Sequence, residues 1–209
     1  MSEKNMIITV GRQYGSGGHE IGEKIAKELG IKFVDEQIID LAAEKSGVYI
    51  SKIMKTDETR NGNIAETKGT GDYQVLKTSP MYRRSESDNL FTLESQIICR
   101  EAEESCVVVG HCGNYVLRDI PKALSVYVYA PKEFRINRVM EYYKVATREE
   151  AIKEIKRMDK IRRNYYEYYA EYKWGGKEGR DMLIDSSMFG IDATAHLLAD
   201  IAKQRFELL

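Results

Sequence analysis

The sequence predicts an α/β fold with a parallel sheet covered by helices on both faces, and three observations predict it. Short apolar, β-branched runs alternate with helical patterns from end to end. A glycine-rich bend joins the first of these runs to the first helix. The chain has 209 residues, 43% of them hydrophobic and only 3 of them proline, enough for one large α/β domain. Its formal charge of −1 argues against bulk attraction to nucleic acid or membrane surfaces. No uninterrupted apolar stretch is long enough to span a bilayer, and the N-terminus lacks the apolar core of a signal peptide. A cytoplasmic location is therefore the default expectation.

The first strand is read at Met6-Ile7-Ile8-Thr9-Val10, and Ile21, Ile25, Ala26 and Leu29 follow helical spacing after it. Between them lies Gly11-Arg12-Gln13-Tyr14-Gly15-Ser16-Gly17-Gly18-His19-Glu20. This bend resembles the phosphate-binding pattern G-x-x-x-x-G-K-[ST] without its lysine, since Gly18 and His19 follow Gly17. Glycines let backbone N–H groups turn toward an anion, and the helix start adds unsatisfied donors and the positive end of its dipole. A glycine-rich turn with no ligand is the alternative. The strand–loop–helix order favours the phosphate reading.

Gly30 suits a helix C-cap, and Ile31 to Asp35 reads as the second strand, ending in an acid. Glu36 to Lys45 suits a helix ending near Gly47. From about Lys55 to Asn89 the chain turns polar, either a disordered surface loop or a mobile flap offering Tyr82, Arg83 and Arg84 to an anion. Leu90 to Glu103 returns to helical spacing, and Cys106 to Gly110 reads as a central, fully buried strand opening into His111 and Cys112. Leu124 to Ala130 is another strand, and Pro131 starts a helix running to about Lys144, in which Arg135 and Arg138 are expected to form surface ion pairs with Glu133 or Glu141. Thr147-Arg148-Glu149-Glu150 is a capping-box signature for a long helix with Ala151, Ile152, Ile155 and Met158 as its buried stripe. From Asp159 to Tyr166 charge and aromatics replace that stripe, so the helix is expected to leave the core there. A last strand, Met182 to Asp185, precedes a closing helix from Ile191 to Leu209. Ligands gather at the carboxyl ends of such strands, which puts the Gly11 loop, Asp35, Gly110 and Asp185 on one edge. Cys99, Cys106 and Cys112 have no paired metal-ligand spacing and read as free thiols.

Taken in order, the loop from Gly11 to Gly22, Phe33-Val34-Asp35, Val107-Val108-Val109-Gly110-His111-Cys112, Asp159 to Tyr166 and Lys173-Trp174-Gly175 resemble the cytidylate kinase-like branch of the nucleoside monophosphate kinases. The resemblance covers nearly the whole chain. It implies a P-loop-containing NTPase-like three-layer α/β fold with a parallel sheet, a mobile insertion and an arginine-bearing helical lid. On that template residues 1–209 form a single domain, with a core over 1–54 and 90–209, an acceptor-side flap over about 55–89 and a lid over about 159–180. The implied reaction transfers the γ-phosphoryl of ATP, with Mg²⁺, to a nucleoside monophosphate such as CMP. Such transfer needs positioning and charge neutralisation more than base catalysis.

By position, Arg162 and Arg163 match lid arginines that close on the transferring phosphoryl, with Asp159 orienting them. Arg12 would fold back over its own loop and supply the missing cation. Gly11, Arg12, Gly15, Ser16, Gly17, Gly18, His19, Glu20 and Asp185 would hold the nucleotide, while Asp35, Arg83, Arg84, Gly110 and His111 would meet the acceptor. Asp35 alternatively caps the helix that follows it. The implied partners are small-molecule nucleotides, with no nucleic acid and no membrane, and the tyrosines from 165 to 172 pack the lid or form a contact in a homo-oligomer. Ordinary cytidylate kinases carry a lysine, an aspartate and an arginine where this chain has Gly18, Val109 and His111. Two alternatives follow, a nucleotide-binding sensor without chemistry and a kinase of a small non-nucleotide hydroxyl.

Overall fold

The computed structural model describes residues 5–35 and 86–207, with side chains from residue 88 in the second stretch. The helix expected over 36–47, most of the polar segment 55–89, and Arg83 and Arg84 lie outside the described residues. Strand β1 (Ile7–Arg12) leads through the glycine-rich loop to helix α1 (Gly18–Leu29) and strand β2 (Lys32–Val34). After the undescribed stretch come α2 (Glu86–Glu101), β3 (Cys106–Val109), a single turn α3 (Gly113–Val116) and β4 (Leu124–Tyr129). Two helices, α4 (Lys132–Tyr142) and α5 (Arg148–Tyr169), precede β5 (Met182–Asp185) and the closing α6 (Gly190–Glu207).

The described strands form one sheet in the order β2-β3-β1-β4-β5, with every pairing parallel. Cys106 to Val109 is fully buried as expected, but the middle strand is β1, flanked by β3 and β4. The chain runs to opposite sides of β1 on leaving it and on returning, so β1 ends at a topological switch point, where open α/β sheets bind ligands.

Side chains alternate across this sheet, and each face has its own core. Ile8, Val10, Val107, Val109, Val126 and Val128 pack with Ile21 and Ile25 of α1 and with Ala195 and Leu198 of α6. Burying isoleucines such as Ile21 and Ile25 completely stabilises the fold by about 1.5–3 kcal/mol each. On the opposite face Ile7, Val34, Cys106 and Val108 meet Ile98, Ala102 and Leu117. Gly30 closes α1 in a left-handed conformation, its N–H directed to the carbonyls of Ala26 and Lys27, the cap that its position predicts.

The capping box of α5 is formed: the Glu150 N–H donates to Thr147 Oγ1 at 3.2 Å, and the Thr147 N–H donates to Glu150 Oε2 at 3.2 Å. The first half of α5 packs Ala151 and Ile155 against Ile136, Val139 and Tyr14. Its second half does not leave the protein, contrary to the expectation from composition. Tyr166 is buried with Cys112 and Ala170 among Phe91, Tyr115, Tyr169 and Trp174, and the Phe91 and Tyr169 rings stack at 4.0 Å. The aliphatic stripe gives way to aromatics because the helix passes from one core into another. Among the described residues no helix is long and apolar enough to cross a membrane.

Candidate functional site

The glycine-rich loop is fixed from every side. Its Gln13 N–H donates to Val128 O at 3.0 Å, and the Gln13 side-chain oxygen accepts from the Ala130 N–H at 3.2 Å. Ser16 is completely buried; its hydroxyl faces inward to the Gln13 and Val128 carbonyls, and its own carbonyl accepts from Ser186 Oγ at 2.6 Å. Tyr14 is held by both backbone groups. Its N–H donates to Asp159 Oδ1 at 2.9 Å, its carbonyl accepts from Arg135 Nε at 2.7 Å, and Arg135 also ion-pairs with Asp159. Gly17 stands at the N-cap of α1 with φ 79 and offers no side chain to the helix. The N–H groups of the first helical turn are thereby left for an anion.

Arg12, the last residue of β1, runs across this helix start. A Cβ added to Gly18 would lie 2.5 Å from Arg12 Cβ and 3.3 Å from its Cγ. A Cβ on Gly110 would fall onto the guanidinium itself, 2.8 Å from Arg12 Cζ. The stem of Arg12 therefore covers the first residue of α1, and its charge rests on the end of β3. Aligned on Gly17, the ordinary pattern G-x-x-x-x-G-K has glycine at position 12 and lysine at position 18. This chain has the reverse, arginine at 12 and glycine at 18. The side-chain volume and the cation have exchanged ends of the loop.

Arg12, Gly17, Gly18, His19, Arg138 and Arg162 line one cleft, with Tyr142 and Tyr143 beside them. The Arg162 guanidinium lies 5.4 Å from the Tyr14 ring centroid, whereas Arg163 is turned to Trp174 at 5.6 Å. Of the two arginines expected to belong to a lid, Arg162 is the one at the loop. Arg138 ion-pairs with Glu20 at 2.9 Å, and Arg135 is buried against Asp159. Neither makes the surface pairs with Glu133 or Glu141 that their spacing suggests; Glu133 is taken by Arg148 at 2.7 Å. The cause is the face that α4 presents: Val139 and the Arg135 carbonyl crowd Gly15, so arginines on that face point into the loop. Burial pushes the Tyr14 phenol up to about 12, with the nearby Tyr143 adding to the shift and Arg162 opposing it.

The ends of β2 and β3 form the other half of the site. His19 Nε2 lies 3.1 Å from Asp35 Oδ2. Gly110, His111 and Cys112 have φ of 88, 46 and 53, a left-handed turn that costs the two non-glycine residues about 1–2 kcal/mol each. His111 Nδ1 is 3.3 Å from Glu94 Oε2, and Tyr165 Oη donates to the same carboxylate. Burial, then the charge of Glu94, raises the Tyr165 phenol far above its ordinary value and keeps it a donor. Burial and then Glu94 likewise push the Cys112 thiol up to about 12.

Asp185 accepts from the Ser187 N–H at 2.9 Å and from its hydroxyl at 2.7 Å, while Ser186 is a buried strut to the loop. Sequence patterns do not point to Glu94 or Arg180, and they offer Arg135 only as a surface ion-pair former. Glu94 carries one available signal, a carboxylate on the same helical face as Leu90, Ile97 and Ile98. Arg180 sits between the rings of Tyr127 and Tyr166, at 4.8 and 5.0 Å, in a loop where no periodicity announces it.

This arrangement can hold a chain of phosphates. The loop N–H groups and the arginines at positions 12, 138 and 162 are one kind of donor on one cleft. Where the pattern carries a hydroxyl for Mg²⁺ this chain has His19, a nitrogen group bonded to Asp35. A hard cation takes oxygen ligands, so Mg²⁺ fits here as a passenger on the nucleotide's own phosphates.

Comparison with known proteins gives a family and a fold. Residues 7–188 match the model of the cytidylate kinase-like family. An uncharacterized protein from Eubacterium ventriosum superposes with a TM-score of 0.70 at 23% identity, covering 95% of this chain and 99% of that one. A shikimate kinase from Acinetobacter baumannii in complex with shikimate gives 0.53 at 17% identity, over 97% and 95% of the two chains. A shikimate kinase from Bacteroides thetaiotaomicron gives 0.53 at 12% identity, over 95% and 98%. At these identities the likeness is one of fold. No match is found among curated proteins.

Proposed function

The chain belongs to the cytidylate kinase-like family, and we propose that it transfers the γ-phosphoryl of ATP, carried with Mg²⁺, to a small acceptor bound beside the ends of β2 and β3. The observation that carries this reading is the path of Arg12 over Gly18 to Gly110. A loop lysine neutralises the β- and γ-phosphates by reaching them from the first turn of the helix. An arginine whose stem fills that position brings a permanent charge, with a planar fork of donors, to the same cleft from the strand side. In this reading Arg162 approaches the transferring phosphoryl from α5, and Asp159 acts through Arg135 and Tyr14 by fixing the loop. Arg163, stacked toward Trp174, supports the end of the lid. Gly15, Gly17, Gly18 and the donors at His19 and Glu20 bind the nucleotide, and Asp35, Gly110 and His111 face the acceptor. A nucleoside monophosphate of the CMP type is the acceptor that the family name suggests, and the cytoplasm is the compartment that fits such chemistry.

The test incubates the chain with Mg·ATP and a panel of nucleoside monophosphates and small alcohols, following ADP. Turnover is expected, and Arg12→Ala or Arg162→Ala should lower kcat by about 10²–10³-fold with the fold intact. ATP binding without turnover on any acceptor contradicts the enzyme reading and favours a nucleotide sensor.

A further inference from the structure

Arg180 brings a positive charge to the sheet edge that the phosphate loop does not use. It lies in the loop before β5, half-buried, with the rings of Tyr127 and Tyr166 at 4.8 and 5.0 Å. Both rings are buried, and the Asn114 side chain fixes Tyr166 while also donating to the Gly179 carbonyl at 3.1 Å. Among the described residues, the hydrogen bonds of Arg180 run from Nη1 to the carbonyls of Gly176 at 2.6 Å and Lys173 at 3.4 Å. No carboxylate among the described residues forms an ion pair with it: Asp181 accepts from the Ser125 N–H and pairs with Arg205, and Glu178 lies against Gly176. The guanidinium is thus held in place while Nε and Nη2 keep their donors.

Its Nε faces the end of β1. A Cβ added to Gly11 would lie 3.8 Å from Arg180 Nε and 2.8 Å from the Tyr127 ring, so the missing side chain at position 11 leaves this approach open. The Arg180 charge also reaches the turn after β3, where it opposes the upward shift of the Cys112 thiol. Successive strand residues point to opposite faces, so Arg12 comes to the ends of β1 and β3 from the α1 face and Arg180 from the other. The carboxylates described at this edge stand with donors: Asp35 with His19, Glu94 with His111 and Tyr165, and Asp159 with Arg135 and the Tyr14 N–H. Arg180 stands with aromatic rings, which attract a cation without neutralising it. A guanidinium so placed gains most from an oxyanion, which takes two N–H bonds from its edge.

We propose that Arg180 is a specificity-determining residue for the acceptor: the acceptor carries an oxyanion, a phosphate or a carboxylate, that lies over Gly11 and is held by Nε and Nη2. This rests on the phosphoryl-transfer reading above and adds to it the charge of the acceptor and the residue that reads that charge. Arg12 and Arg162 serve the phosphates of ATP on the loop, and Arg180 holds the acceptor's anion at the ends of β1 and β3 from the opposite face of the sheet.

The experiment loads the full chain with Mg²⁺ and a non-hydrolysable ATP analogue and measures acceptor affinity by calorimetry. Two matched pairs are titrated, CMP against cytidine and glycerate against glycerol, the members of each pair differing in the anionic group. One anion or both should bind about tenfold or more tightly than the neutral partner. A preference for CMP assigns a phosphate, and a preference for glycerate a carboxylate. Arg180→Gln should abolish the preference with the affinity for the ATP analogue unchanged, and Arg180→Lys, which keeps the charge without the fork, should fall between Gln and wild type. An unchanged Tm shows that the variants are folded; if Arg180→Gln does not fold, the reduced preference of Arg180→Lys carries the test. The inference is overturned if neither anion binds better than its neutral partner, or if the folded variants keep the wild-type preference. It is equally overturned if the variants lose analogue and acceptor affinity together, the mark of a purely structural arginine. A wild-type chain that does not bind the ATP analogue overturns the phosphoryl-transfer reading, and this inference falls with it; the other adverse outcomes overturn this inference alone.

Discussion

Arg12 leaves β1 on the side where Gly18 and Gly110 lack side chains, and both absences are what let it pass. Gly110 is doubly constrained, by φ 88 and by the guanidinium lying on it. Gly110→Ala should therefore cost about 1–3 kcal/mol in urea unfolding and also weaken ATP binding in calorimetry, since either the turn or Arg12 must move. Unaltered ATP affinity in that variant would mean that Arg12 does not serve the nucleotide. Asp159 presents a second residue-scale case. It faces a buried arginine and a backbone N–H of the loop, so Asp159→Ala strands the charge of Arg135 and should cost about 3–5 kcal/mol by chemical denaturation. None of this pairing is legible from spacing, because Arg135 and Asp159 belong to different helices and meet at Tyr14 only after the loop has folded between them.

At the scale of elements, α5 ties the glycine-rich loop to the turn after β3. Its Ala151 and Ile155 pack on Tyr14 of the loop and its Asp159 accepts from the Tyr14 N–H; further along, its Tyr165 donates to Glu94, which also holds His111. Tyr165→Phe keeps the ring and removes the hydroxyl, leaving a buried carboxylate short of a donor; a loss of about 1–3 kcal/mol in urea unfolding is expected. What was legible in sequence was local. The capping box at Thr147, the αL cap at Gly30 and the strand from Met182 to Asp185 depend on residues adjacent in the chain, and all three form as read. The phosphate loop was legible as a loop. The path of Arg12 over Gly18 was not legible, because it is a relation between a strand end and a helix start. The aromatic half of α5 was misread because a change from aliphatic to charged and aromatic residues marks both a helix leaving a core and one entering a different core.

For the whole molecule, the strand order carries the site: β1 in the middle delivers Arg12 and the loop to the switch point, with Asp35 and His111 on one flank and β4 with α4 on the other. The same burial makes stability sensitive to alkali. Cys106 and Cys112 are raised from an ordinary 9.0 to about 12, and Tyr14 from 10.0 to about 12, in each case mainly by desolvation. These groups stay protonated in the folded state while the unfolded chain ionises. Their contribution is therefore fully present below pH 9 and is lost between about pH 9 and 12. Urea midpoints should be level up to about pH 9 and fall above it, and a thiol reagent at pH 8 should label exposed Cys99 while sparing Cys106 and Cys112 until the chain unfolds. The account of function depends most on the exchange between positions 12 and 18, and one measurement addresses it directly: the ATP affinity and turnover of Arg12→Gly, Gly18→Lys and the double variant. Each single change should fail, the first by removing the cation and the second by driving a side chain into Arg12, while the double variant, with the ordinary G-x-x-x-x-G-K order, should recover ATP binding to within about tenfold of wild type, a coupling of several kcal/mol. Additive losses, with the double variant as poor as the sum of the singles, would contradict the claim that Arg12 takes the place of the loop lysine.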